Sequence, residues 1–599
     1  MASIRTRRIV PAARSFSLFS RSTPSPPPPP PSPAGPEQHD LVIVGGGPAG
    51  LTLAAALAAS EPIAQTHRIT LLEGAPLTST RDWSPREGQW SNRVSSITAE
   101  NVRFLSKTGI WSHLDTTRVR PIEEMQVWDG LTDARIEFAA PFLSRSVASA
   151  PSSSPSSWDA DFAAALRPAR GSMSTMVENL NLQQAALRRI EQLKREKGAR
   201  VEVVEGTRVK SIEEGEGGWP VVKLEGEEGR ELRARLLIGA DGANSPVKAY
   251  SKIDTFGWPY GRHGVVATLA IEPAPPGREG EGMNTAWQRF LPEGPVAFLP
   301  LSDTHASLVW STTPTIAAKL KSLPPAILAP LITAAFTLPY SELSSFLSSL
   351  PDAPAPLTPG PGKPAREGLY DETTLTSHLR AMLVAHSQAT YDPSSPADPL
   401  PPSIASVQEG SIASFPLRLS HTSSYLGLPA AGRDLRTALV GDAAHTTHPL
   451  AGQGLNMGLG DVDKLVEVIE QRTVEGGDVG AYLSLLPYPR ARYPSNHFLL
   501  SSTDHLASLY SSSNPLITSA RSLGLGAVNE FTALKEFFMR RAGAGEEQPG
   551  GRGRGGGVWE TVADVLEGAS KLRSVVGVVG GAALSAVGKR AAQFVVKGR

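Results

Sequence analysis

The chain contains no cysteine. That excludes disulfides, thiolate zinc sites, cysteine-ligated iron–sulfur clusters and any redox mechanism that runs through a thiol–disulfide pair. Net charge is absent too: 58 Lys and Arg balance 58 Asp and Glu over 599 residues. No basic field for nucleic acid is implied. Long apolar runs are also lacking. Between Arg573 and Lys589 lie only 15 uncharged residues, among them Gly577, Gly580, Gly581 and Gly588. A helix of that length reaches about 22 Å, short of the roughly 30 Å hydrocarbon core. The tail from Val558 to Arg599 therefore does not read as a membrane span. An interfacial or partner-binding helix and simple surface packing both stay open.

Acids are missing from the first 36 residues, which carry Arg5, Arg7, Arg8, Arg14 and Arg21 among Ser, Ala and scattered Leu, Ile and Phe. This is the composition of a mitochondrial transit peptide, and Ser15 to Ser22 is too interrupted for a secretory apolar region. Pro24 to Pro36 follows as an extended spacer. The folded part is expected to start between Glu37 and Asp40. A chain of this length holds two or three domains.

Leu41-Val42-Ile43-Val44 reads as a buried parallel strand. Gly45, Gly47 and Gly50 follow at once in G-x-G-x-x-G spacing, and Leu51 onward opens a helix. Gly45 allows a tight turn, Gly47 lets the backbone approach a pyrophosphate, and Gly50 lets helix pack close on strand. The helix N-terminus offers free N–H groups to the phosphates. Ile69 to Leu72 reads as a second strand ending at Glu73, where a ribose-binding carboxylate is expected. Glu73 also disfavours a 2′-phosphate. A Gly-rich turn of another α/β protein is the competing reading.

Further along, Asn101 to Trp111 is expected to be helical, and Met125 to Trp128 strand-like. A loop insertion is expected up to residue 170, then a long helix over Met176 to Lys197. Val201–Val204 and Val209–Ile212 alternate as strands. Leu236-Leu237-Ile238-Gly239 is another buried strand, ending in Asp241-Gly242. From Gly257 to Thr313 the pattern is that of an antiparallel sheet. Residues 350–368 and 390–403 are Pro/Ala/Ser-rich and read as disordered insertions. Leu435 to Val440 is a third strand of nucleotide-domain type, and it feeds Gly441-Asp442.

Asp442, at a strand end, is placed to accept a hydrogen bond from a flavin ribityl hydroxyl. Beyond it, Pro449, Gly452 and Gly454 form a turn whose N–H groups face one edge of a flat ring. The helix from Leu455 to Ile469 directs its positive end there. A reduced flavin carries negative charge at that edge. His445 and His448 bring to mind a metal or a covalent flavin link. Without a carboxylate cluster they read as packing and hydrogen-bonding residues.

The three motifs together resemble those of the flavoprotein aromatic hydroxylases, the 4-hydroxybenzoate hydroxylase fold. Several runs resemble the mitochondrial ubiquinone-biosynthesis branch more closely: Ser91 to Ile97, Met176 to Asn179, Asp241 to Ser245, Gly264 to Thr268, Ala286 to Pro292 and His445 to Asn456. The resemblance spans about residues 40 to 542 and breaks at the Pro-rich insertions and the tail.

It implies an α/β fold: a discontinuous Rossmann-like FAD-binding domain (37–115, 171–255 and 411–475) and an antiparallel-sheet substrate domain (116–170 and 256–410). C-terminal helices (476–545) and a Gly-rich linker with the apolar tail (546–599) follow. It gives Arg93 a flavin contact, Asp241 and Gly242 a place near the pyrophosphate, and Pro449 to Asn456, with Leu455, a place at the ring. It implies hydroxylation of a polyprenylated 4-hydroxybenzoate-derived phenol through a flavin C4a-hydroperoxide, with O2 as oxidant. Ferredoxin with its reductase, or NADPH, would supply electrons. A peripheral place on the matrix side of the inner membrane, beside other ubiquinone-biosynthesis proteins, is implied as well. No acid or base is identifiable; Tyr260, His263, Gln288 and Arg289 sit on the substrate side. An apolar channel to the ring is expected; Val265, Leu269, Phe290, Phe298 and Leu299 of the middle sheet can supply its walls or equally be core.

Rivals are an epoxidase, halogenase or polyprenyl reductase of the same fold, and a prenyl-binding escort protein without flavin chemistry. The W-x-W-x-I-P run typical of such halogenases is absent. The intact Gly441-Asp442 pair and the basic leader oppose an escort role.

Overall fold

The computed structural model describes residues 35–139, 172–226, 230–273, 282–351, 372–390, 399–429, 433–449 and 452–530. The expected leader, the loop at 140–170, most of both Pro-rich insertions, Leu450, Ala451 and everything from residue 531 onward lie outside the described residues.

Strand β1 (Glu37–Val44) runs into the glycine turn, and helix α1 (Pro48–Ala59) leaves it. Proline at the first helical position loses nothing, because that N–H has no partner within a helix. The strands β8 (Val201–Glu205), β2 (Ile69–Glu73), β1, β11 (Glu231–Gly239) and β18 (Thr437–Leu439) are parallel neighbours in that order. β10 (Pro220–Leu224) and β9 (Val209–Glu214) continue from the other end of β11 as antiparallel strands. α1 packs against α3 (Asn179–Lys197) and α8 (Gln453–Val474). Sandwiched this way, α1 is buried nearly all round, and Leu51 to Leu57 is apolar except for the buried Thr52.

A small antiparallel sheet comprises β3 (Val94–Thr98), β7 (Ser174–Glu178) and β4 (Val119–Ile122), with β7 in the centre. The expected helix from Met176 therefore begins only at Asn179. Met176 and Val177 fit a helical stripe and a buried strand equally; pairing with Ser96 and Ser95 decides for the strand. The side chain of Thr98 caps α2 (Ala99–Lys107) by accepting from Asn101 N–H. That helix stops short of the expected Trp111.

The second large sheet has the order β19 (His445–Thr446), β17 (Ala413–Thr422), β12 (Thr255–Ile271), β15 (His305–Thr312), β14 (Gly294–Pro300), β13 (Thr285–Leu291), β5 (Glu124–Asp129), β6 (Arg135–Ala139). β16 (Ile404–Val407) also pairs with β12. All contacts are antiparallel except β13 with β5, which is parallel. β17 falls inside the 411–475 stretch read as nucleotide domain, yet it belongs to this sheet through β12.

One face of the sheet is covered by α4 (Pro314–Ser322), α5 (Pro325–Thr337), α6 (Tyr340–Ser349) and α7 (Glu372–Thr390). No element was expected over Pro314–Ser349 beyond its place in the substrate domain, and this helical layer decides between channel wall and core for most of the five residues. Val265, Leu269 and Phe298 belong to the core under these helices. Phe290 instead stacks on Tyr510, with ring centroids 3.9 Å apart. Leu299 alone of the five packs with Trp90, Ile122, Met176, Ala286 and Leu301, between the large and small sheets. The period-2 alternation of a strand puts neighbours on opposite faces, and the unseen helices claim one of them.

Helices α9 (Pro487–Tyr510) and α10 (Pro515–Glu530) follow. α9 packs on α8 and β17. α10 is pinned by Arg521, whose guanidinium meets Asp129 at 2.5 and 3.0 Å. Among the described residues no helix is long and apolar enough to cross a membrane.

Candidate functional site

The strand register places the three motifs together. Val44 pairs with Leu72 and with Gly239, and Gly239 pairs with Leu439. The strands thus end level, and Gly45, Asp241 and Gly441 leave the same carboxyl edge. Ligands of open α/β sheets bind outside that edge.

Each glycine has a distinct local reason. Gly45 sits at φ +108°, and a Cβ there would collide with the Ala240 carbonyl. A Cβ on Gly50 would strike the Gly45 carbonyl. Around Gly47 a Cβ would meet nothing within 4 Å. The space in front of Gly47, at the N-terminus of α1, is open: a cradle of free N–H groups suited to a pyrophosphate. Glu73 accepts from Gly46 N–H at 2.5 Å and from Ala75 N–H at 2.8 Å. It fixes the turn and keeps lone pairs for ribose hydroxyls.

Asp241 is half-buried, and among the described residues neither of its carboxylate oxygens has a well-formed hydrogen bond, though Ser245 and nearby main-chain N–H groups lie close. Burial pushes its carboxyl up to about 6, against weaker pulls from Ser245, main-chain N–H groups and Lys248. Gly242 follows at φ +80°. Asp442 is open to solvent, yet the protein around it raises its carboxyl above the usual range, with His445 and Arg418 pulling back.

Gly441 (φ +60°) packs close to Ala49 of α1 and to Gly458 of α8. First and third motifs thus touch. Gly452 (φ +59°) caps α8, and its N–H donates to the Pro449 carbonyl at 3.2 Å. A Cβ on Gly454 would approach only Thr447, at 3.9 Å. Leu455 packs on the main core. The Asn456 side chain is spent on protein: Nδ2 donates to Ser96 O at 2.7 Å, and Oδ1 accepts from Thr98 N–H and Asn101 Nδ2. It ties this turn to the strand that follows Arg93. Arg93 itself is exposed, and only its main chain is engaged, with Ser91 and Asn179.

An open cradle at the α1 N-terminus, the half-buried Asp241 carboxyl and the Asp442 carboxyl at the same sheet edge fit a flavin dinucleotide. The comparisons agree. The FAD binding domain family matches residues 84–342 and 430–478. The mitochondrial ubiquinone biosynthesis monooxygenase COQ6 of Saccharomyces cerevisiae is 33% identical over 518 residues, covering 86% of this chain and 95% of that protein. Its counterpart in Schizosaccharomyces pombe is 35% identical over 506 residues, covering 84% and 91%. The human counterpart is 33% identical over 511 residues, covering 84% and 92%.

The chain belongs to the ubiquinone-biosynthesis monooxygenase family. It is an FAD-dependent aromatic hydroxylase. Solved folds agree: p-nitrophenol 4-monooxygenase PnpA from Pseudomonas putida superimposes with a TM-score of 0.53 at 14% identity, over 86% of this chain and 100% of that one. OxyS anhydrotetracycline hydroxylase from Streptomyces rimosus gives 0.51 at 16% identity, over 87% and 78%. A monooxygenase requires O2, a substrate and a reductant, and the relatives are named mitochondrial.

Of the substrate-side candidates in this monooxygenase, Arg289 is a clamp. It is buried and donates to the Ala335, Leu338 and Gly130 carbonyls, away from the cleft. Gln288 lies on the opposite face of β13. Tyr260 stands edge-on to His448, with ring centroids 5.0 Å apart. Beside the small sheet, a cavity of about 700 Å³ is lined by Trp83, Trp90, Arg118 and His305 among others. Arg118 lies 3.9 Å over the Trp90 ring and is paired with Glu178 at 2.5 Å.

Sequence reasoning missed Asp461, Arg492 and Asn496, which hold the Gly441 loop from behind. An acid within the apolar stripe of Leu459, Val462 and Leu465 was the available signal.

His448 and His421 give the monooxygenase a pH dependence. Burial drives His448 down to about 4. Burial, with His445 and His497 adding to it, drives His421 down to about 3. In an unfolded chain both titrate near 6.5. The folded state resists these protons, so the stabilisation is complete above pH 6.5 and falls as pH drops. The slope is about 1.4 kcal/mol per pH unit for each group. Urea midpoints between pH 7 and 4.5 should show this decline, and His448→Phe should flatten it by one group's share. An unchanged slope would contradict the assignment.

Proposed function

We propose that the enzyme hydroxylates the aromatic ring of a polyprenylated 4-hydroxybenzoate-derived phenol in ubiquinone biosynthesis. The observation that supports this is that Gly47, Asp241 and Asp442 leave the same carboxyl edge of the parallel sheet, in a chain of this family. The FAD-binding part is taken as 37–115, 171–255 and the segment after β17. The substrate part is the second sheet with its helices.

Gly45, Gly47 and Gly50 would carry the pyrophosphate on α1, and Glu73 the ribose. Asp442 would accept from the ribityl chain, and Asp241 with Gly242 would face the phosphate side. Arg93 and the turn Pro449, Gly452, Gly454, Leu455 and Asn456 would flank the ring. Bound FAD supplies electrophilic oxygen from O2, and the phenol supplies the electrons that capture it. The protein holds the two rings together and excludes water. Trp90, Ala286, Leu299 and Met176, a buried apolar cluster between the two sheets beside the Arg93 strand, would back the dry side of the site.

We further infer a peripheral place on the matrix side of the inner membrane, among other enzymes of the same route. Ferredoxin with its reductase is taken as the electron source, with NADPH as the alternative. Cells lacking the protein should stop making ubiquinone and accumulate a prenylated intermediate unhydroxylated at one ring position. Mass spectrometry of quinone precursors checks this. Normal ubiquinone in such cells, without a redundant hydroxylase, would leave only an FAD-dependent hydroxylase of another phenol. Reduction of the purified holoenzyme by NADPH alone, against ferredoxin plus reductase, decides the donor.

A further inference from the structure

The C-terminal helix α9 reaches the cofactor cleft through one carboxylate. Asp461, on the buried side of α8, is 0% exposed and takes four donors. Gly441 N–H reaches its Oδ2 at 3.2 Å and His445 Nε2 at 2.6 Å. Arg492 Nε meets Oδ1 at 3.0 Å and Asn496 Nδ2 at 2.9 Å. The first two donors belong to the loop that carries Asp442. The last two belong to α9.

The network continues on the α9 side. Arg492 also donates to the Met457 carbonyl at 3.2 Å and to Asn496 Oδ1 at 2.9 Å. Asn496 Nδ2 reaches Tyr425 OH at 3.0 Å, and Tyr425 OH lies 2.9 Å from His421 Nε2. Tyr488 OH, also on α9, donates to the carbonyl of Leu439, the last residue of β18, at 2.6 Å. Two independent ties from α9 thus converge on the segment Leu439–His445. Burial alone would raise the Asp461 carboxyl; the His445 and Arg492 charges and the Asn496 hydrogen bond outweigh it, and the group stays ionised below the usual range.

Gly441 sits at φ +60°, where its peptide N–H needs a fixed acceptor to hold the loop in place. Asp442 is the next residue, and its aim follows the orientation of that peptide. Resting on the FAD assignment above, we propose that Asp461 is a positioning residue for the cofactor. Braced by Arg492 and Asn496, it sets the Gly441 peptide and so directs the Asp442 carboxylate at FAD.

The test is a double-mutant cycle on FAD affinity, with Asp461→Asn, Asp442→Asn and the double variant. Apoprotein of the full chain is titrated with FAD, and its thermal midpoint is recorded in parallel. Asp461→Asn should weaken FAD tenfold to hundredfold. The double variant should be no weaker than Asp442→Asn alone, because the effect runs through Asp442. Additive losses would show that Asp461 acts only on general stability and would overturn the proposal. So would unchanged affinity in Asp461→Asn. If Asp461→Asn does not fold, Asn496→Leu takes its place in the same cycle, with an expected threefold to tenfold loss and the same non-additivity. Wild-type apoprotein that binds no FAD would instead defeat the cofactor assignment itself.

Discussion

Gly47→Val yields a folded protein that does not retain FAD. Gly47 lies at φ −69°, ψ −180°, a conformation that valine adopts freely. No heavy atom stands within 4 Å of the Cβ it would gain. The apoprotein therefore has no clash to relieve, and its thermal midpoint should move little. The new methyl groups occupy the space in front of the α1 N-terminus, where a pyrophosphate must come within hydrogen-bonding distance of the N–H groups. Losing that approach should weaken FAD at least a thousandfold, about 4 kcal/mol. Gly50→Val separates the two effects. Its Cβ would strike the Gly45 carbonyl, so that variant should fail to fold. A Gly47→Val protein that purifies with stoichiometric flavin would show that the phosphates lie elsewhere.

Arg521→Ala should be the largest purely structural loss among charged side chains. Arg521 and Asp129 have side chains 1% and 0% exposed, and their ion pair joins α10 to β5. The same guanidinium donates to the Leu509, Tyr510 and Ser512 carbonyls. Removing it leaves Asp129 buried with its charge unpaired, at about 3–5 kcal/mol. The Tyr510 ring, held under that guanidinium and stacked on Phe290, loses its support. Urea unfolding should show the loss, while FAD affinity in native buffer stays near wild type. Asp129→Leu with Arg521→Met should recover most of the stability, since no charge is then stranded. A single variant within 1 kcal/mol of wild type would refute the role.

The nucleotide sheet was legible because its strands advertise themselves. Leu41–Val44, Ile69–Leu72 and Leu236–Gly239 are apolar runs ended by glycine or acid, and all three pair as expected. What failed had no local signature. Met176 and Val177 satisfy two periodicities, and Glu178 is buried because Arg118, sixty positions away, and the Ser91 N–H both reach it. The helices α4 to α6 carry no motif, so for residues of β12 and β14 channel wall and core both stayed open. At the sheet's carboxyl edge, the strand ends at Gly45, Asp241 and Gly441 were legible as motifs, and the register sets them side by side. Asp461 was not legible, because its partners Arg492 and Asn496 lie a helix away in sequence and meet it only after the chain has turned back.

That separation bears on when the cofactor can be taken up. A nascent chain presents the glycine turn early, but β18, the Asp442 loop and the α9 residues that brace it emerge about 400 residues later. A chain truncated before Arg492 has every phosphate-binding glycine and no bracing for the ribityl side. On the proposed reading, tight flavin retention then reports that synthesis has passed Asn496 and that α9 has folded back onto α8, and a product ending earlier is expected to hold the cofactor more weakly.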